Sequence, residues 1–110
     1  MPDSSVIYRL GSSRLDLPYD ALAAFCRKWR ITEFALFGSV LREDFHPESD
    51  VDVLVGFEPE APWSLLDVVS MRHELATLFG RQVDLVEKET IRNPFRRHAI
   101  LSTRQVIYDG

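Results

Sequence analysis

Leu22, Phe25, Cys26 and Trp29 fall at i, i+3, i+4 and i+7, the spacing that stacks side chains along one stripe of an α-helix. Pro18 stands where such a helix can open. Residues 33–37 are short in extent, aromatic-rich and stopped by Gly38, which predicts a strand, and the β-branched run 51–57, interrupted by one charge, predicts a second. Residues 58–62 carry two prolines and read as a loop. Ser64, with Asp67 three places on, is a partial capping box for a second helix. In that helix Leu65, Val68, Val69, Leu75, Ala76 and Phe79 are expected to share the core face, and Gly80 is placed to end it. Residues 82–87 predict a third strand. Asn93-Pro94 reads as an N-cap and first-turn proline opening a short basic helix to about Ser102, and residues 105–108 a last strand. Before residue 17 the pattern is loose: Val6, Tyr8 and Leu10 alternate, enough for a short edge strand, among serines and Gly11. The chain is therefore divided into an N-terminal extension, 1–16, and one domain, 17–110. The element order implies an α/β (α+β) fold, a small mixed sheet flanked by helices.

Composition narrows this picture. The 110 residues hold 13 Lys plus Arg against 17 Asp plus Glu, a formal charge of −4, with 45% hydrophobic and 27% charged residues, the ordinary mix of a globular domain. One core is expected at this length. No apolar run approaches the ~18 residues of a membrane span, and the first ten residues lack the basic-then-apolar order of a secretory signal. A cytoplasmic protein is the expectation. The single cysteine, Cys26, excludes an internal disulfide framework and a thiolate-rich metal site. The acidic balance argues against direct nucleic-acid binding, which rests on dense Lys and Arg.

The chemistry lies in Gly38-Ser39, ten further residues, then Asp50-Val51-Asp52. Strand residues two apart share a face, roughly 6.5 to 7 Å from one another. Asp50 and Asp52 therefore project together, while Val51 and Val53 enter the core. Carboxylates this close repel, and a divalent cation such as Mg²⁺, which prefers oxygen ligands, removes that penalty. Asp84, between Val83 and Leu85, brings a third carboxylate if its strand lies alongside. Such a patch can hold two ions about 4 Å apart, the arrangement suited to in-line phosphoryl or nucleotidyl transfer. Gly38 lets the backbone approach a phosphate closely, Ser39 adds an N–H and a hydroxyl at the start of a short helix expected over residues 40–44, and Arg42 supplies a guanidinium fork.

Gly38-Ser39-x10-Asp50-x-Asp52, with Val83-Asp84-Leu85-Val86 downstream, resembles the minimal nucleotidyltransferase domains of the polymerase-β superfamily, over nearly the whole chain. Glu43-Asp44 stands where a Gly-Glu pair is more usual there, and Leu41 replaces a small residue. The resemblance implies Asp50, Asp52 and Asp84 as ligands of Mg²⁺, with Asp84 also helping to activate the acceptor hydroxyl. It implies Gly38, Ser39 and Arg42 as nucleotide-binding residues and ATP as substrate. It further implies a HEPN-type toxin as partner in a hetero-oligomer. A tyrosine hydroxyl of that partner would receive AMP, making this chain an antitoxin.

Plainer readings stand beside these. Asp50 and Asp52 could line a solvated strand face, Asp84 an exposed edge, Ser39 could only cap a helix, and Arg42 could be surface charge. His46, His73 and His98 show no ligand spacing and read as ordinary histidines; Arg92, Arg96 and Arg97 read as a solvated basic face. Core packing is the expectation for Phe57, Trp63 and Phe95. Only 26 residues follow Asp84, so the acceptor is expected from another molecule. The rival function is a non-catalytic antitoxin that neutralises its partner by complex formation, with Trp63 and the N-terminal stretch as interface. Transfer to a small molecule such as an aminoglycoside fits less well, because no substrate domain follows.

Overall fold

The computed structural model describes the backbone of residues 5–10 and 13–18, and both backbone and side chains of residues 19–38 and 50–109. The elements are β1 (Ser5–Leu10), β2 (Ser13–Pro18), α1 (Tyr19–Lys28), β3 (Ile31–Phe37), β4 (Val51–Phe57), α2 (Leu65–Phe79), β5 (Val83–Glu87), a 3-10 turn (Lys88–Thr90), α3 (Pro94–Thr103) and β6 (Gln105–Asp109). The loosely patterned N-terminal stretch forms more than one edge strand. β1 and β2 pair antiparallel, Val6 opposite Leu17 and Tyr8 opposite Leu15, beside α1 and α2.

The expected helix ends form through local chemistry. Ser64 completes a full capping box with Asp67: the Asp67 amide donates to the serine hydroxyl, and the Ser64 amide donates to the Asp67 carboxylate at 2.9 Å. Gly80 ends α2 with φ of 67°, a left-handed conformation suited to glycine. Asn93 caps α3 by accepting from the amides of Phe95 and Arg96. Between α1 and β3 the chain turns through Arg30 at φ 57°, and this turn is held from outside. Glu58 N–H donates to the Arg30 carbonyl at 2.9 Å, and the Trp63 indole donates to the Trp29 carbonyl at 2.7 Å. Trp29 and Trp63 meet edge to face at 5.1 Å.

The main sheet runs in the order β5-β4-β3-β6, with β3 antiparallel to both neighbours and β4 parallel to β5. Both faces are covered. On one, Phe34, Leu36, Val51, Val53, Val55 and Val83 pack under Leu22, Phe25 and Cys26 of α1 and Met71 and Leu75 of α2. On the other, Ala35, Phe37 and Leu54 pack with Ile91 and with Ile100 of α3. The period-two alternation of strand side chains sends neighbouring residues to opposite cores, so β4 is apolar almost throughout.

Two expectations of burial fail. Leu65 is 79% exposed, and so is its neighbour Leu66 to a similar degree. Leu65 lies six residues before the buried Met71, about 120° around the helix from it. Phe95 is 85% exposed rather than core, five residues before Ile100 and so about 140° away. Trp63 packs half-buried against the core, as expected, and is engaged with Trp29, so it is not the exposed interface residue that the binding reading needs. Cys26 is fully buried as expected.

Candidate active site

The two parallel strands are in register so that Asp52 faces Asp84 and Val51 faces Val83. Paired residues of a parallel ladder point to the same side, and adjacent strands lie about 4.8 Å apart. Asp52 and Asp84 therefore rise side by side on the face that carries Leu54 and Val86 further along. The helix α3 reaches Ala35 and Leu54 but leaves the end with the aspartates uncovered: Asp84 is exposed and Asp52 half-buried. Asp50 lies two residues before Asp52, exposed, at the mouth of the same strand. Asp84 thus stands beside the Asp-Val-Asp strand, as the three-carboxylate reading requires.

Gly38 closes the other flank. It follows β3 directly with φ of 71°, and a Cβ built there would collide with the Asp52 carboxylate, whose Cγ would lie 3.1 Å away and whose Oδ2 nearer still. Only a residue without a side chain both accepts that conformation and lets Asp52 stand against the backbone. Phe37 is the ladder partner of Asp52, which fixes this approach. Ser39, Arg42, His46 and the helix expected over residues 40–44 lie outside the described residues.

On the far side of Asp84 a cavity of about 320 Å³ opens between β4, β5 and α2, lined by Asp50, Arg72, His73, Ala76, Gln82, Val83 and Asp84. Arg72 and His73 come to it from α2, and Asp50, Gln82 and Asp84 from the starts of β4 and β5. Arg72 and Gln82 carry no functional signal in linear spacing, and His73 reads there as an ordinary histidine. Nothing in linear spacing ties position 72 to position 84, because their meeting depends on α2 lying over the starts of β4 and β5.

Hard oxygen donors of this kind suit Mg²⁺. Among the described residues, no three His, Cys, Asp or Glu side chains stand close enough to make a cation cage by themselves. Asp52 and Asp84 on their shared rung, with Asp50 two residues before Asp52, are the oxygen donors that such an ion would take.

Elsewhere, titratable groups serve the fold. Glu33 receives Lys88 Nζ at 3.2 Å and Arg104 Nε at 2.6 Å, tying β3 to the 3-10 turn and to the end of α3. Burial pushes its carboxyl up, but the hydrogen bonds and charges of Arg104 and Lys88 outweigh burial and hold it below the ordinary value. Arg97, counted in the basic face, is half-buried and donates to the Lys88 carbonyl at 2.8 Å, whereas Arg92 and Arg96 are exposed. No helix among the described residues is long and apolar enough to cross a membrane.

A family model described as a nucleotidyltransferase domain matches residues 20–107. The protein adenylyltransferase MntA of Thermococcus cleftensis is 36% identical over 81 residues, covering 74% of this chain and 77% of that protein. A relative from Methanocaldococcus jannaschii, provisionally named a protein adenylyltransferase, is 36% identical over 73 residues, 66% of this chain and 72% of its own. Among solved structures, a toxin–antitoxin complex with AMP-PNP superposes with a TM-score of 0.67 at 17% identity, over 83% of this chain and 73% of that one. At that identity the likeness is one of fold.

Proposed function

Because this chain belongs to the nucleotidyltransferase family, we propose that it moves AMP from ATP onto a hydroxyl of a partner protein, a tyrosine of a HEPN-type toxin, and so acts as an antitoxin in the cytoplasm. The observation that carries this reading is the shared rung of Asp52 and Asp84 on parallel strands, with Gly38 pressed against Asp52 at its flank. Relatives named for protein adenylyl transfer, and a similar fold in a toxin–antitoxin complex with an ATP analogue, support the same reaction and the same kind of partner.

The Gly38 corner, with Ser39 and Arg42 beyond it, holds the β- and γ-phosphates. Asp50, Asp52 and Asp84 would hold Mg²⁺, which when bound supplies positive charge against the triphosphate as charge builds on it. Asp84 stands where an incoming hydroxyl can give up its proton. The hydroxyl oxygen attacks the α-phosphorus in line, and the new P–O bond forms as the bond to the β-phosphate oxygen breaks. Pyrophosphate leaves with that electron pair, and the proton passes through Asp84 to solvent.

The exposed apolar side chains Leu65, Leu66 and Phe95 favour a second reading, neutralisation by complex formation alone. The two readings part on the mass of the partner after co-expression. Additions of AMP size that disappear with Asp50→Ala plus Asp52→Ala are expected. An unmodified yet inhibited partner would instead establish the binder.

A further inference from the structure

Among the described residues both edges of the main sheet are open, β6 beyond β3 and β5 beyond β4. The two edges differ in what they carry. Gly38 ends β3, Asp52 stands on β4 and Asp84 on β5, in that order across the sheet, so only the β5 edge bears a residue of the site. In-line displacement puts the attacking atom opposite the leaving group across the reacting phosphorus. With the triphosphate on the Gly38 flank, the attacker arrives from the β5 flank. The ladder fixes which main-chain groups wait there. Val51 N–H donates to the Gln82 carbonyl at 3.0 Å, and Val51 is the rung partner of Val83. The N–H and C=O of one strand residue point to the same edge and alternate along the strand, so Gln82, Asp84 and Val86 turn theirs to β4. Val83, Leu85 and Glu87 turn theirs outward. Of these outward groups only the Glu87 carbonyl has a partner among the described residues, the Thr90 hydroxyl at 2.8 Å.

We propose that the outer edge of β5 receives an extended segment of the acceptor protein as an added strand, with its reacting hydroxyl residue opposite Asp84. This rests on the nucleotidyl-transfer reading and adds to it how the acceptor is held. A strand paired there lies about 4.8 Å from β5, and the residue opposite Asp84 sends its side chain to the same face. Its hydroxyl then stands beside the exposed Asp84 carboxylate, on the flank that in-line attack requires. The main-chain groups of Val83 and Leu85 hold the segment whatever its other side chains. Register selects the residue that reacts, because a slip of one position turns the hydroxyl to the opposite face. Charge selects the occupant. The edge strand carries Asp84 and Glu87 and no cation, which disfavours pairing with the same strand of a second copy. An acceptor segment with a lysine or arginine three residues from its hydroxyl places that cation opposite Glu87.

The test uses the full chain, Mg²⁺, α-labelled ATP and a short valine- and glutamine-rich peptide with one central tyrosine and a lysine three residues to either side. N-methylation removes its backbone N–H groups one at a time. Labelling is expected to fall by about tenfold in kcat/KM at every second position around the tyrosine and to change little at the positions between. Replacing both lysines by glutamate is expected to lower it by a similar factor. Losses without that period, or labelling indifferent to the lysines, overturn the inference. So does a protein that binds a fluorescent ATP analogue yet labels no peptide. A dimer in sedimentation that leaves the peptide unlabelled assigns the edge to a second copy and likewise overturns it. Failure to bind the analogue at all overturns instead the nucleotidyl-transfer reading beneath it.

Discussion

The carboxylate of Asp52 occupies the space that a Cβ on Gly38 would need. Backbone at the end of β3 and side chain on β4 are thereby locked together, at the corner where the proposed reading seats the triphosphate beside Asp52. Gly38→Ala meets two costs, the left-handed φ of 71° and displacement of Asp52. A loss of about 1–3 kcal/mol in urea denaturation is expected, together with loss of transfer from α-labelled ATP. Adding Asp52→Ala relieves the steric part, so the double variant regains some stability while remaining inactive. A double variant no more stable than Gly38→Ala would show that the clash is not what matters.

Asp84 tests the acceptor side separately. Asp84→Asn keeps the shape of the side chain but removes its charge and its capacity to take a proton. Transfer is expected to fall by about 10²–10⁴, the range for losing a general base, with the drop in kcat rather than in ATP affinity. Single-turnover labelling beside nucleotide titration separates the two. Equal rates in both proteins would remove Asp84 from the chemistry.

Glu33 governs an acid-sensitive part of the stability. Its side chain is 17% exposed and its carboxyl is held below the ordinary carboxylate range in the folded chain, where Arg104 and Lys88 donate to it. A depressed carboxyl stabilises the fold above the unfolded value, and that contribution fades as pH falls through the folded one. Glu33→Gln is therefore expected to cost about 1–3 kcal/mol near neutrality, with the deficit shrinking toward acid. Thermal midpoints of both proteins across the acid range provide the check. A constant gap at every pH would remove Glu33 from the acid response.

Cys26 is sealed in the α1 stripe. Burial pushes its thiol up to about 12, against a smaller opposing effect from the Arg27 charge. The native chain should resist a disulfide reagent such as Ellman's and react fully only in denaturant, since the thiolate is the nucleophile. Cys26→Ser should cost about 1–3 kcal/mol by leaving a hydroxyl in an apolar core. Rapid labelling of the folded protein would contradict the packing of α1 on the sheet.

Local chemistry wrote much of this protein directly into its sequence. The Ser64–Asp67 capping box, the Gly80 stop and the Asn93-Pro94 start are decided within a few residues, where neighbours along the chain are also neighbours in space. The alternation at 50–54 likewise determined that Val51 and Val53 enter one core while the aspartate of the same strand turns the other way. What spacing left open was long-range. Only the parallel register of β4 and β5 sets Asp84 beside Asp52, and only the seating of α2 brings Arg72 and His73 to the cavity at the starts of those strands. Helix phase against the sheet, not hydrophobicity, left Leu65 and Phe95 in solvent. The sequence carries the side chains and their periods; which strands pair, and which helix covers which end, follows from burying both faces of one sheet at once.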